Sequence, residues 1–259
     1  MHRVPIAVAA CLLALAATAA HAGEGGKPEP ASRQCGLSTP YNVQVDGGGV
    51  WLYRREGVPR EIFFHDGTLS VDQQVQAVSD ADARRLRAME AEARALMPQV
   101  AGVARGAVDI TFDALAGVVR VMTGSERKAR RVGHRRDEAL AHIDNSLGKG
   151  RWDQDVFGAQ FEDKVERVVV DVTGSVTRSA LWAVFTGRAD RLEERADRLD
   201  AQMDAMLEAR TLALEEQARA LCDRVAVLRG QQDALEYRYR GAPLLMLEPA
   251  AATGAVAIR

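Results

Sequence analysis

The chain has 259 residues, 47% of them hydrophobic and 27% charged, with 34 Lys and Arg against 36 Asp and Glu for a formal net charge of −2. A globular level of hydrophobicity with only 22 Gly and 8 Pro excludes wholesale disorder and a collagen-like chain. The near-neutral balance excludes a global field for nucleic acid, so any anion binding must come from a local patch.

His2 and Arg3 precede an apolar run over residues 4–20, and Ala20-His21-Ala22 supplies the small-x-small pattern that a signal peptidase reads before Gly23. Residues 1–22 therefore read as a cleaved secretory signal peptide. As a membrane anchor the run is short, Ala-rich and without a basic stop-transfer flank. Cys11 has too little apolar sequence ahead of it for a lipoprotein site. The most apolar later stretches, residues 100–122 and 165–185, carry Arg105, Asp109, Asp113 and Arg120, or Arg167, Asp171 and Arg178, which argues against a bilayer span. The expected location is the periplasm, with the mature protein soluble or peripheral.

Of three cysteines, Cys11 leaves with the leader, and Cys35 and Cys222 reach an oxidising compartment as an even pair. A bridge between them would close a loop of roughly 190 residues, worth on the order of 4 to 5 kcal/mol by loop-closure entropy. The alternative is two unpaired thiols.

Residues 23–36 form a Gly/Pro/Glu leader without periodicity, expected to be flexible. Residues 41–45 alternate, Asp46-Gly47-Gly48-Gly49 tolerates positive φ, and residues 50–53 resume an extended pattern. Residues 61–65 and 68–71 flank Asp66-Gly67, a second hairpin signal. An antiparallel meander over residues 37–76 follows. At Ser79-Asp80-Ala81-Asp82 a capping sequence opens a run of helix formers, and the chain then reads as helix almost to Arg240. Pro98 either kinks the first helix or starts a second, Gly124-Ser125 marks a break, and Gly148-Lys149-Gly150 a stop. Residues 168–173 have the β-branched density of a strand, but helical charge spacing favours helix. Beyond Leu192 two apolar series are one residue out of register, which favours an intramolecular helical hairpin over a continuous two-stranded coiled coil. Residues 241–259 read as a tail. The fold class is α+β, mainly α: a small N-terminal antiparallel β-meander docked on a bundle of long helices over residues 79–240, ending in that long hairpin.

An exported chain with Cys35 just before short strands, the hairpin Phe63-Phe64-His65-Asp66-Gly67-Thr68-Leu69, and Cys222 near the end of a helical region resembles the YggN-like family of proteobacterial exported proteins, a family defined as a domain of unknown function. The likeness runs from about Cys35 to Tyr239. It implies a periplasmic location and a strand-then-helix layout, and brings no activity, cofactor or catalytic residue.

Chemical signatures are sparse. His134, Glu138 and His142 fall at i, i+4 and i+8, which puts the outer pair about 12 Å apart along a helix, too far to share one ion readily. No Gly-x-Ser-x-Gly elbow, phosphate loop or His-Glu-x-x-His occurs. His65-Asp66 belongs to a turn, and Asp109 with Asp113 is expected on the solvent side beside Arg105 and Arg120. No cofactor and no metal is expected, and no enzymatic activity.

Two surfaces are more distinctive. Arg127, Lys128, Arg130, Arg131, Arg135 and Arg136 put six fixed cations into ten residues without an acid, enough for several phosphate contacts at an anionic lipid surface. The plainer reading is a solvated helix neutralised by Asp190, Glu193, Glu194, Asp197 and Asp200. Aromatics are not interleaved, which argues against nucleic acid. Residues 100–122 carry one narrow polar strip, including Gly102 and Gly106, where another backbone can come close; the remaining circumference must be buried inside the bundle, or in part against another copy, an envelope protein or a lipid chain. The functional expectation is a non-enzymatic cell-envelope protein acting through its surfaces, with envelope lipid or another envelope protein as partner; the alternative is a periplasmic binding module with an internal cavity for a small apolar ligand. Thiol titration of the unfolded, non-reduced mature protein should find neither Cys35 nor Cys222 reactive, and two reactive thiols would sink the bridge.

Overall fold

The computed structural model describes residues 35–154 and 189–250, with side chains from Leu207 onward in the second stretch. The leader, residues 165–185 with the segment 168–173, and the final residues 251–259 lie outside the described residues.

The alternating segments pair as their turns dictate. Strands β2 (Asn42–Asp46), β3 (Gly49–Tyr53), β4 (Glu61–His65), β5 (Thr68–Val71) and β6 (Gln74–Gln76) form an antiparallel meander, preceded by the short β1 (Leu37–Ser38). Asp66 and Gly67 both take positive φ, 45° and 81°, the mirror-image turn that matches strand twist. Register places Val50 opposite Phe64, Ile62 opposite Val71 and Phe64 opposite Leu69. These residues fill the inner face of the sheet, and each is at least 97% buried. Period-two alternation sends Trp51 and Phe63 to the other face.

Helix α1 (Asp80–Thr123) starts at Ser79, whose hydroxyl accepts the Asp82 N–H, and ends at Gly124 in the left-handed region. It runs unbroken through Pro98. The side chain there is exposed, so the carbonyl of Arg94 left without a helical donor lies toward water, while Leu96, Met97 and Ala101 stay packed. Ser125 caps α2 (Glu126–Asn145), which folds back antiparallel on α1. The chain then departs from the expected all-helical course. Gly150, at φ 75°, lies where a Cβ would come 2.0 Å from the Val45 carbonyl oxygen, and this contact admits β7 (Arg151–Trp152) as a sixth strand beside β2.

Helix α3 (Ala189–Asp233) is one continuous helix. Its antiparallel partner is α1: Arg224 pairs with Glu92 and Arg210 with Asp113. Helix does not continue to Arg240, and the expected tail after Gly241 is in part built structure. Strands β8 (Arg238–Tyr239) and β9 (Ala242–Pro243) form a hairpin about Arg240-Gly241, Leu244 and Met246 enter the core, and β10 (Glu248–Pro249) pairs with β1.

Two buried polar side chains hold this ending in place. Asp82, 1% exposed, accepts the N–H groups of Glu236 and Tyr237 and the Arg85 guanidinium. Burial alone would raise its carboxyl, but these bonds outweigh it and hold Asp82 below the usual carboxylate range. Gln232, 3% exposed, accepts the N–H groups of Met246 and Leu247 and donates to the Leu247 carbonyl, imitating a strand edge. Cys35 and Cys222 are bridged across a separation of 187 residues, tying the segment before β1 to α3. No helix among the described residues is long and apolar enough to cross a membrane. Asp82→Ala strands two backbone donors and Arg85, and should cost about 3 kcal/mol; urea unfolding that shows less than half of this would remove Asp82 as the anchor of the C-terminal segment.

Candidate functional site

Three places were searched for chemistry: the basic run of α2, the buried carboxylate beneath the Asp66-Gly67 turn, and the space between the sheet and the long helices.

Ala129, Val132 and Ile143 are buried on α2, which turns the intervening positions outward. Arg127, Arg130, Arg131 and His134 are exposed at i, i+3, i+4 and i+7, a single face. The structure divides the six cations. Arg135 donates to Glu138 at 2.8 Å, and Arg136 donates to Asp113 at 3.1 Å with Asp109 3.9 Å away. Arg127, Arg130, Arg131 and the half-buried Lys128 have no carboxylate partner among the described residues. The side chains of Asp190, Glu193, Glu194, Asp197 and Asp200, considered above as neutralising partners, lie outside the described residues.

The polar strip of α1 is half-exposed and borders α2. Asp109 and Asp113 sit at the seam with α2, and the strip runs as a ladder of ion pairs: Arg105 with Asp144, Asp113 with Arg136, Arg120 with Glu126. Asp113 also takes Arg210 of α3 at 2.7 Å, so one carboxylate joins three helices. Charges at a half-exposed helix seam gain partners when an antiparallel neighbour brings the opposite charges to the same level, and spacing along α1 alone could not reveal that neighbour. At Gly106 a Cβ would come 2.8 Å from the Leu214 Cδ1, a side-chain tip and not the backbone expected there; at Gly102 the space is open. His134, Glu138 and His142 lie on exposed positions of α2, and no group of three metal-ligating side chains occurs among the described residues.

The His65-Asp66 turn is clamped by a residue that sequence reasoning missed. Glu90 of α1, 6% exposed, lies 2.9 Å from His65 Nδ1 through one oxygen and accepts the Asp66 N–H through the other. Arg94 pairs with the same carboxylate, and Arg87 reaches Asp66 at 3.0 Å. Every Glu90 oxygen is thus used to fasten the hairpin tip to the helix. Its only sequence signal was a Glu four residues before an Arg in a helix, which says nothing about His65.

Beneath the sheet lies a cavity of about 200 Å³. Val50, Leu52 and Phe64 form its sheet wall, Met89, Ala93 and Met97 its α1 wall, and Leu221 and Leu228 its α3 wall. Met246 and the Cys35 end of the chain border it, it is partly open to the surface, and among the described residues no charged side chain enters the lining.

The profile of DUF2884, a family described as proteins of unknown function, matches residues 35–247. The chain belongs to the DUF2884 family. The match starts at Cys35 and ends at Leu247, so it takes in the disulfide, the sheet and the segment held by Gln232. Neither the curated proteins nor the solved structures gave a match.

In this DUF2884 protein the Glu90 clamp links stability to pH. Burial pushes the carboxyl up, but the His65 contact, the Asp66 N–H and Arg94 together bring it below the ordinary glutamate value. The unfolded chain then binds more protons than the folded one, so the contribution of Glu90 is complete above the unfolded value near ~4.3 and is lost as pH falls through the depressed folded value. Urea titrations between about pH 5 and pH 2 should show a shallower loss of stability for Glu90→Gln than for the wild type, whereas parallel curves would remove Glu90 from the acid transition.

Proposed function

We propose that this DUF2884 protein is a non-enzymatic, exported component of the bacterial envelope that meets anionic lipid headgroups through the basic face of α2. The observation that carries the reading is the partition of the six cations. Arg135 and Arg136 are held by carboxylates, while Arg127, Lys128, Arg130 and Arg131 face outward without one among the described residues. They sit beside the α1–α2 turn, on the end of the helical hairpin remote from the sheet. Guanidinium groups bind phosphate with paired, charge-assisted hydrogen bonds, and each cation near an anionic membrane contributes about 1 kcal/mol at physiological salt.

The proteobacterial, periplasmic setting is part of the proposal. It is supported by the signal-peptide pattern over residues 1–22, by a Cys35–Cys222 pair of the kind that persists in oxidising compartments, and by the resemblance to the YggN-like exported proteins. The non-enzymatic reading is supported by the engagement of the most suggestive acid–base neighbours, His65 and Glu90, in fastening a turn.

The test is co-sedimentation with phosphatidylglycerol vesicles. The wild type should bind and be released as salt rises, and the triple substitution Arg127→Glu, Arg130→Glu, Arg131→Glu should abolish binding while leaving the melting temperature within a few degrees. Equal sedimentation of both proteins would refute the headgroup contact.

A further inference from the structure

The cavity under the sheet lies on a different part of the molecule. Its α1 wall ends near Val100, and the basic face begins beside Arg120, about 30 Å farther along the same helix at helical rise. One amphiphile could not place its headgroup on α2 and its chain in the cavity, so the two features call for separate explanations.

Protein interiors are close-packed, and voids much larger than a water molecule are few. An engineered apolar cavity of about 150 Å³ stays dry and takes up benzene; the present one is larger, at about 200 Å³. Its walls cannot easily collapse because they are fixed by unrelated restraints. The Cys35–Cys222 bridge fastens the β1 end to α3, and β1 is paired with β10. Gln232 holds the backbone of Met246 and Leu247 by three hydrogen bonds. On the α1 side the centre of the wall is Ala93, a side chain too small to reach across.

The lining also decides what can enter. Water needs two to four polar partners to be held in such a space, and among the described residues the polar side chains of the lining are Ser38 and Thr39 at the β1 end and the indole of Trp152. A charged ligand would be stripped of solvent with nothing to pair with. Hydrocarbon meets neither obstacle, and Met89, Met97 and Met246 supply thioether side chains that adapt their shape to an occupant.

We infer that the cavity between the sheet, α1 and α3 is a binding site for an uncharged hydrocarbon group, either a short alkyl chain or a single aromatic ring. The site is independent of the headgroup contact on α2. Mature, oxidised protein is equilibrated with n-decane or with toluene, and thermal unfolding is followed together with the methyl resonances of Leu52, Met89 and Met97. At least one probe should raise the melting temperature by several degrees and shift those methyls; a response to decane alone assigns an alkyl ligand, and to toluene alone a ring. Ala93→Leu fills the void from α1 and should abolish the response without lowering the melting temperature of the unliganded protein. Leu228→Phe does the same from α3 and serves if the first variant does not fold. No response of the wild type to either hydrocarbon overturns the inference, as does a response that persists in a folded, cavity-filled variant. The triple Glu variant of α2 should keep the full hydrocarbon response, so loss of vesicle binding and loss of hydrocarbon binding are separable results.

Discussion

Helix α1 has to satisfy unlike surfaces along a single axis, and the rest of the described structure is arranged around that demand. Over its first half it presents Leu86, Met89, Met97 and Ala101 to the sheet and its surroundings, and the acids buried there, Asp82 and Glu90, are each fully engaged by hydrogen bonds. Over its second half it presents Arg105, Asp109, Asp113 and Arg120 to α2, and there it needs a neighbour with opposite charges at matching levels. One helix of 44 residues, about 66 Å long at helical rise, carries both tasks. Helix α3 runs beside it and samples both environments, with Leu221 and Leu228 at the apolar end and Arg210 at the charged end.

This division explains why charge and apolar residues are segregated in a chain whose net charge is only −2. Ion pairs that are about one-third to one-half exposed contribute modestly to stability, so the α1–α2 seam is better understood as fixing the level at which two helices meet. Shifting one helix by a turn would set Arg136 away from Asp113 and leave Asp144 without Arg105. The apolar end, by contrast, is fixed by covalent and backbone links, because hydrophobic contact is non-directional and specifies level poorly.

The parts legible from sequence are those whose cause is local. Asp66-Gly67 prescribes its turn, Ser79 its cap, Gly124-Ser125 its helix break, and alternation in residues 41–45 and 61–65 its inner face. Two cysteines that follow a signal-peptide pattern are enough to expect the bridge. What escaped depends on remote partners. Strands of two residues, such as Arg151–Trp152 and Glu248–Pro249, have no periodicity to read, and they exist because β2 and β1 offer open edges. Asp82 looked like one more acid in a first helical turn, yet its work is done on Glu236 and Tyr237. Of the candidate site, the basic run was visible as composition, but its separation into held and outward cations required the positions of Asp113 and Glu138. A void has no residue of its own, so the cavity could be considered from sequence only as a general alternative.

The pairing of β1 with β10 has a topological consequence. The Ala250 N–H donates to the Gly36 carbonyl, so the first and last described residues of the fold lie side by side. With Cys35 bonded to α3, the described domain is a closed loop whose two ends leave from the cavity end, while the α1–α2 turn stands at the other. Anything fused to either end of the domain would therefore emerge opposite the basic face of α2. A permuted chain that joins residue 250 to Cys35 and opens at Gly124-Ser125 would keep every described strand pair and the disulfide, and would move both termini to the basic end of the molecule.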